Sequence, residues 1–256
     1  MKLHVEGSGP VLLLHGVAGS TRTFSWLDLP AVRFDFRGHG ASDRAPGTYL
    51  LEHYVADAVS VLRDVGPCFL AGHSLGGVVA WTVAQQRPDL VTGLFLEDPP
   101  LFMGEPTEHE GNPAVPAFVQ MRENTARWQA SGAAPADVTR ELAAQAFGDR
   151  TFAEVQTPEA LAARGYALVN LDLEVLDRVI DGTLLAQCDI VSAVNVPTFI
   201  LAADDAVGAA FRTTHEQRLA ASHPAVEVVR LEGASHTIHD ERAYRAEWVR
   251  RLSSRL

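Results

Sequence analysis

Gly72-His73-Ser74-Leu75-Gly76, with Gly77 behind it, decides how this chain is read. The apolar run Cys68-Phe69-Leu70-Ala71 leads into it. Leu75, Val78, Val79, Thr82 and Val83 then recur at steps of three to four, and Pro88 closes the pattern. A strand therefore ends at the motif and a helix opens from it. On so sharp a turn Ser74 is held in a strained backbone, and its neighbours must be small. The helix N-terminus offers free N–H groups and the positive end of a dipole. The Leu75 N–H would point at an oxyanion built on a carbon that Ser74 attacks. A serine N-cap in a glycine-rich turn would explain the five residues alone, but not the strand before them and the helix after.

Outward from this turn the same punctuation repeats. Val11–Leu14 is a short apolar run closed by His15-Gly16, and Val32–Asp35 is closed by Arg37-Gly38-His39-Gly40. Leu94–Leu96 is closed by Glu97-Asp98-Pro99-Pro100. Short continuous apolar runs suit strands buried on both faces. Tyr54, Ala58, Val61, Leu62 and Val65 give a helix between two of them. The alternation predicts an α/β fold, a mostly parallel central sheet flanked by helices. Lys2–Glu6 leaves room for one more short strand.

Residues 101–185 break the rhythm. They are rich in Ala, Glu, Arg and Gln, and helices are expected over 113–130, 135–147, 158–169 and 171–185. Prolines near three of the four starts suit first-turn positions. Strand patterns return at 198–202 and 226–231, with helices around 211–222 and 241–252. The chain thus divides into a first core part (1–100), a helical insertion (101–185) and a second core part (186–256). The acidic, turn-rich run Glu105–Asn112 reads as a solvated loop that could gate a site.

Two further features carry chemistry. The strand Val11–Leu14 ends in a small-residue loop, His15-Gly16-Val17-Ala18-Gly19, and Val17 N–H is the candidate second oxyanion donor. After the last strand comes Gly233-Ala234-Ser235-His236. A histidine there, later in the chain than the serine, is placed to act as general base and then general acid. His239 reads as a helix-start or packing residue, and His73 as a packing residue.

These pieces resemble the α/β-hydrolase superfamily. The matching residues are His15-Gly16, the stretch Asp35-Phe36-Arg37-Gly38-His39-Gly40-Ala41-Ser42-Asp43, Gly72–Gly77 and the late His236. The resemblance covers about 1–100 and 190–256. It implies an α/β-hydrolase fold with 101–185 as a helical cap, and a structural role for Asp35–Asp43, with Arg37 and Asp43 holding that loop. It also implies a triad acid, and here several carboxylates compete. The superfamily usually carries the acid after the strand at 198–202, three residues beyond a glycine. Asp205 has that offset from Ala202, but the glycine is missing; Asp204 would fit a shortened loop. A minority of members carry it after the strand before the cap, where Asp98 lies 24 residues past Ser74. Asp98 is preferred, then Asp205, then Asp204, with Glu97 last. Each must meet the same criterion, reaching the His236 Nδ1–H.

The resemblance implies a serine hydrolase acting through an acyl-enzyme. A serine at the turn, rather than an aspartate, disfavours the dehalogenase and epoxide hydrolase chemistries of the superfamily. The expected substrate is a small to medium, mostly apolar ester or lactone. The alternatives on the same Ser and His are a cofactor-free lyase, an oxygenase or perhydrolase, or a carbon–carbon bond hydrolase. About half of Leu101, Phe102, Met103, Phe118, Met121, Trp128, Phe147, Phe152, Tyr166 and Leu173 are expected to line the pocket, the rest joining cap to core.

Composition bounds the rest. The 256 residues suffice for a core without staples. Lys plus Arg is 21 against 32 Asp plus Glu, a net charge of −11, and Lys2 is the only lysine. Such a balance argues against nucleic acid or an anionic membrane surface as a partner. A small-molecule substrate is expected, and a homodimer stays open. Cys68 and Cys188 form no framework, and no apolar run reaches signal or spanning length, so a cytoplasmic protein is expected. No cofactor is implied. No histidine pair at i, i+4 spacing is joined by a carboxylate, so no metal is expected.

Overall fold

The structure, a computed structural model, describes all 256 residues. The first half builds strands β1 (Val5–Gly7), β2 (Val11–Leu14) and β3 (Ala31–Phe34), then helix α1 (Leu51–Val65). Strand β4 (Cys68–His73), helix α2 (Leu75–Gln86) and strand β5 (Val91–Glu97) follow. The chain then leaves the sheet for a hundred residues. On this excursion lie α3 (Pro106–His109), α4 (Ala114–Ala130), α5 (Pro135–Ala144), the hairpin strands β6 (Ala146–Phe147) and β7 (Arg150–Thr151), α6 (Phe152–Val155), α7 (Pro158–Val169) and α8 (Leu173–Ile180). It returns with β8 (Thr198–Ala202), α9 (Thr213–Ser222), β9 (Glu227–Arg230) and α10 (Arg245–Ser253).

The seven-stranded sheet runs β1-β3-β2-β4-β5-β8-β9. Only β1 is antiparallel, paired with β3; every other pairing is parallel. Because β5 and β8 are neighbours, the long excursion interrupts the sheet without splitting it. Strand order changes direction at β2 and β4, so the crevice at their carboxyl ends is where an open α/β sheet receives ligands. His15-Gly16-Val17 leaves β2 there, and Ser74 leaves β4.

Burial explains the continuous apolar runs. All four residues of β2 and all five of β8 are buried. In β2, Leu12 and Leu14 join the larger core cluster while Val11 and Leu13 face the smaller one on the opposite side. Strand periodicity and helices on both faces require that split. Helix α2 is buried on nearly every side, from Leu75 to Ala84, as a helix apolar all round must be. Gly76 lets it approach: a Cβ there would stand 2.2 Å from the Leu14 carbonyl oxygen.

Several element boundaries differ from the sequence expectation. The helix expected over 135–147 stops at Ala144, because Ala146–Phe147 pairs with Arg150–Thr151 in a hairpin. The one expected over 171–185 is the shorter α8, capped by the Asp172 side chain on Glu174 N–H. The final helix starts at Arg245 rather than 241, since Ile238–Asp240 forms a separate 3-10 turn. The run Glu105–Asn112 is no free loop. Helix α3 lies within it, Glu108 pairs with Arg212, and Glu105 with Arg218 at 2.7 Å.

Candidate active site

The Ser74 turn has the expected strain. Its φ is 52° and ψ −117°, in a region that costs a non-glycine residue roughly 1–3 kcal/mol. Gly72 makes the turn possible, because a Cβ at that position would stand 2.3 Å from the Gly76 carbonyl oxygen. Only three non-glycine residues have positive φ: Ala18, Ser74 and Asp98. All three sit at the carboxyl ends of β2, β4 and β5.

There the structure brings together three of the candidate residues. His236 Nε2 is 2.9 Å from Ser74 Oγ, and His236 Nδ1 is 2.6 Å from Asp98 Oδ2. Asp98 is fully buried, and three backbone N–H groups donate to its carboxylate: Ala203 and Phe211 to Oδ1 at 3.1 Å each, and Ala210 to Oδ2 at 2.7 Å. With three N–H donors already on it the Asp98 carboxylate acts as an acceptor, so what it meets on the histidine is the Nδ1–H. That leaves Nε2 free to accept the serine proton.

The other carboxylates lie elsewhere. Asp205 pairs with Arg230 at 3.0 Å and accepts the Thr213 N–H. Asp204 accepts the Ala206 and Gly233 N–H groups at 2.9 and 2.7 Å. The loop after β8 thus turns its amides, rather than a carboxylate, toward the site. Glu97 faces away from Asp98, as strand alternation requires, and binds His239.

The Val17 and Leu75 N–H groups meet no protein acceptor, and both residues line the main cavity beside Ser74. Their loop is braced by His15, whose Nδ1–H donates to the Gly16 carbonyl at 2.8 Å while Nε2 accepts the Phe36 N–H at 3.1 Å. Burial pushes the His15 pKa down to about 4, so the ring is neutral, as that tautomer needs. Arg37 and Asp43 hold the loop after β3. Arg37 forms a buried fork with Asp57 at 2.6 and 2.8 Å, and Asp43 accepts the Lys2 N–H at 2.7 Å.

Two histidines do more than pack. His73 donates from Nε2 to the His236 carbonyl at 3.1 Å, so it holds His236 from behind. Burial, then the neighbouring His236 and His239, holds its pKa well below the usual value and keeps it neutral. His239 binds Glu97 through Nδ1 at 2.7 Å, and its backbone N–H reaches the same carboxylate at 3.0 Å. The signal for both lay in position, one residue before Ser74 and three after His236. Donor atoms of His73, Glu97 and His239 lie within 4.8 Å of one another, so these three could hold a cation. Both Glu97 oxygens already accept protein N–H groups, including Trp248 Nε1 at 2.8 Å, and a cation would have to displace them.

Two cavities meet at Ser74. The larger, about 380 Å³, is lined mostly by apolar side chains, among them Met103, Phe118, Val179, Leu184 and Leu185. The smaller, about 90 Å³, includes Thr23, Met121, Arg164 and Asp240. Of the ten apolar residues expected to divide between lining and glue, only Met103, Phe118 and Met121 line either space. Leu101, Phe102 and Trp128 are buried in the core instead.

The sheet order, the strained serine turn and the late histidine describe one class of protein, and comparison with known proteins agrees. Residues 11–250 match the model of the alpha/beta hydrolase family, and the chain belongs to that family. A curated 2-(acetamidomethylene)succinate hydrolase of Mesorhizobium japonicum is 32% identical over 107 residues, 38% of this chain and 38% of that protein. The chain covers about a third of the length of the curated relatives it matches. Among solved structures, the N-formylmaleamic acid deformylase of Pseudomonas putida S16 is similar in fold, with a TM-score of 0.76 and 17% identity over 98% of this chain and 95% of that one. Est816, described as an N-acyl homoserine lactone degrading enzyme, gives 0.72 and 21% over 100% and 97%. No helix is long and apolar enough to cross a membrane.

Proposed function

We propose that the chain is a serine hydrolase that cleaves a small to medium ester or lactone through Ser74, His236 and Asp98. The supporting observation is the hydrogen-bond chain from Asp98 through His236 to Ser74 Oγ, at 2.6 and 2.9 Å, beside two unpaired amides. Ser74 Oγ attacks the carbonyl carbon as His236 Nε2 takes its proton. The negative oxygen of the tetrahedral intermediate accepts the Val17 and Leu75 N–H groups. Asp98 keeps Nδ1 protonated and steadies the imidazolium. The intermediate collapses, His236 protonates the departing alkoxide, and an acyl-Ser74 remains. Water repeats the cycle, giving its proton to His236, and the acid leaves with Ser74 restored.

Residues 101–185 act as a cap between core parts 1–100 and 186–256. Met103, Phe118, Val179 and Leu184, which line the larger cavity over Ser74, support that role. A mostly apolar cavity of about 380 Å³ suits a small apolar ester or lactone. The free thiols Cys68 and Cys188 support a reducing, cytoplasmic setting.

The test pairs a p-nitrophenyl ester of short acyl chain with a fluorophosphonate probe, wild type beside Ser74→Ala. Labelling and turnover that both vanish in the variant are expected. No labelling and no Ser74-dependent turnover would overturn the reading, and labelling without ester turnover would favour the lyase or oxygenase chemistries.

A further inference from the structure

Val17, Ser74, Phe118 and His236 border both cavities. A carbonyl carbon attacked by Ser74 therefore stands at a junction, with one substituent directed into each space. The larger space is apolar. The smaller has a different character, because Arg164 of α7 lines it together with the hydroxyl-bearing Thr23 and Thr237.

Arg164 donates no hydrogen bond and forms no ion pair within 4.0 Å. Arg44 and Arg63 are likewise unpaired but stand exposed in solvent. Arg164 is half-buried along the cavity wall; partial loss of water lowers its pKa from the ordinary value, although an arginine stays charged throughout. The nearby carboxylate is Asp240, which lies instead 3.2 Å from His239 Nε2. The Phe152 ring lies 5.8 Å from the guanidinium carbon. A guanidinium drawn partly out of water without a partner loses hydration that nothing replaces, so a half-buried arginine lining a cavity is best explained by an anion that enters it. The planar fork of an arginine matches a carboxylate in two parallel bonds.

We propose that Arg164 binds a carboxylate on the substrate, and that the natural substrates are esters or lactones whose reacting carbonyl lies a short stem away from that carboxylate. About 90 Å³ is room for such a group on a short chain, while the apolar remainder of the molecule occupies the larger cavity. The reaction rests on the serine-hydrolase reading above; the binding rests on the cavity alone.

Two ester pairs test the substrate class. Mono-4-nitrophenyl succinate against 4-nitrophenyl butyrate carries the charge on the acyl side, and O-acetylglycolate against ethyl acetate carries it on the alcohol side. In the wild type, kcat/KM should favour the charged member of at least one pair by about tenfold to a hundredfold, the worth of charge-assisted hydrogen bonds. Arg164→Gln should collapse that ratio toward one, mainly through KM, and Arg164→Lys should restore part of it. A separate arm needs no turnover: succinate titrated into Ser74→Ala should give binding heat that disappears in Ser74→Ala/Arg164→Gln. If the neutral esters show no Ser74-dependent turnover, the hydrolase reading fails while this arm still reports on Arg164. Ratios unmoved by Arg164→Gln in both pairs, or equal succinate binding by the two Ser74→Ala proteins, would mean that Asp240 alone satisfies Arg164 and would overturn the proposal.

Discussion

Two histidine–carboxylate pairs lie side by side in this molecule, built from almost the same stretches of chain. Asp98 holds His236 at 2.6 Å, and Glu97, one residue earlier, holds His239, three residues later, at 2.7 Å. Type and distance do not separate them; the second ring nitrogen does. In His236 it reaches Ser74, and the side chain is 31% exposed at the floor of a cavity. In His239 it faces Asp240, and the side chain is 1% exposed. A histidine–carboxylate pair becomes catalytic when its free nitrogen meets a nucleophile and a space for substrate. Otherwise it is a buried strut, here one that anchors the loop carrying the first pair.

The largest effect should come from breaking the first pair. Asp98→Asn keeps the shape but offers His236 an amide, which can hold the wrong tautomer. A loss of roughly 10²–10⁴ in kcat is expected, by analogy with triad aspartates, and steady-state kinetics on a p-nitrophenyl ester reads it directly. A variant with near wild-type kcat would show that the two pairs had been assigned the wrong way round.

Breaking the second pair should cost stability instead. Glu97→Gln removes the negative charge facing the buried His239 ring and turns one of two accepting oxygens into a donor, so at least one of the bonds from His239 and Trp248 is lost, and a loss of about 3–5 kcal/mol is expected, measured by urea unfolding. Turnover per folded molecule should fall far less than in Asp98→Asn. The pair also has a signature in pH. Burial opposes charge on His239, but the carboxylates of Asp240 and Glu97 outweigh it and raise its pKa above the ordinary 6.5. A raised pKa in the folded state contributes stability fully below 6.5, and that contribution fades as pH rises through the folded value. The stability gap between wild type and Glu97→Gln should therefore narrow above pH 6.5; a gap that widens would refute a charged His239. His15 runs the other way. Its pKa of about 4 means stability is lost as pH falls from 6.5, by roughly 3 kcal/mol in total.

The same contrast explains what was legible in the sequence. Ser74, its glycines and the α/β alternation are local patterns, and His236 follows from its place after the last strand. The acid was harder, because two strand ends, after β5 and after β8, both carry aspartates at chain positions from which such an acid can come. What favours Asp98 in the structure is a set of amides from Ala203, Ala210 and Phe211, and backbone direction leaves no mark in residue type. The roles of His73 and His239 were hidden for a related reason. Each depends on a partner more than 140 positions away in the chain, and spacing alone reads them as packing. The cavity lining was misjudged because α8 is short, so that Leu184 and Leu185 belong to the turn after it and face the cavity.

The smallest effects should come from the aspartates that the β8 loop does carry, and they sharpen the comparison by their size. Asp205 is 41% exposed at its side chain and shares Arg230 with Glu216, so Asp205→Asn should cost at most about 1 kcal/mol and leave kcat unchanged. Asp204 is also on the surface, yet its carboxylate accepts the Gly233 N–H, three residues before His236. An asparagine there can still accept that bond, while alanine cannot. Asp204→Asn should thus be nearly silent and Asp204→Ala should lower kcat modestly by loosening the loop that carries the base. If Asp204→Asn instead matched Asp98→Asn in kinetics, the β8 loop would have to swing in during turnover, and the hydrogen bond between Asp98 and His236 would describe only the resting enzyme.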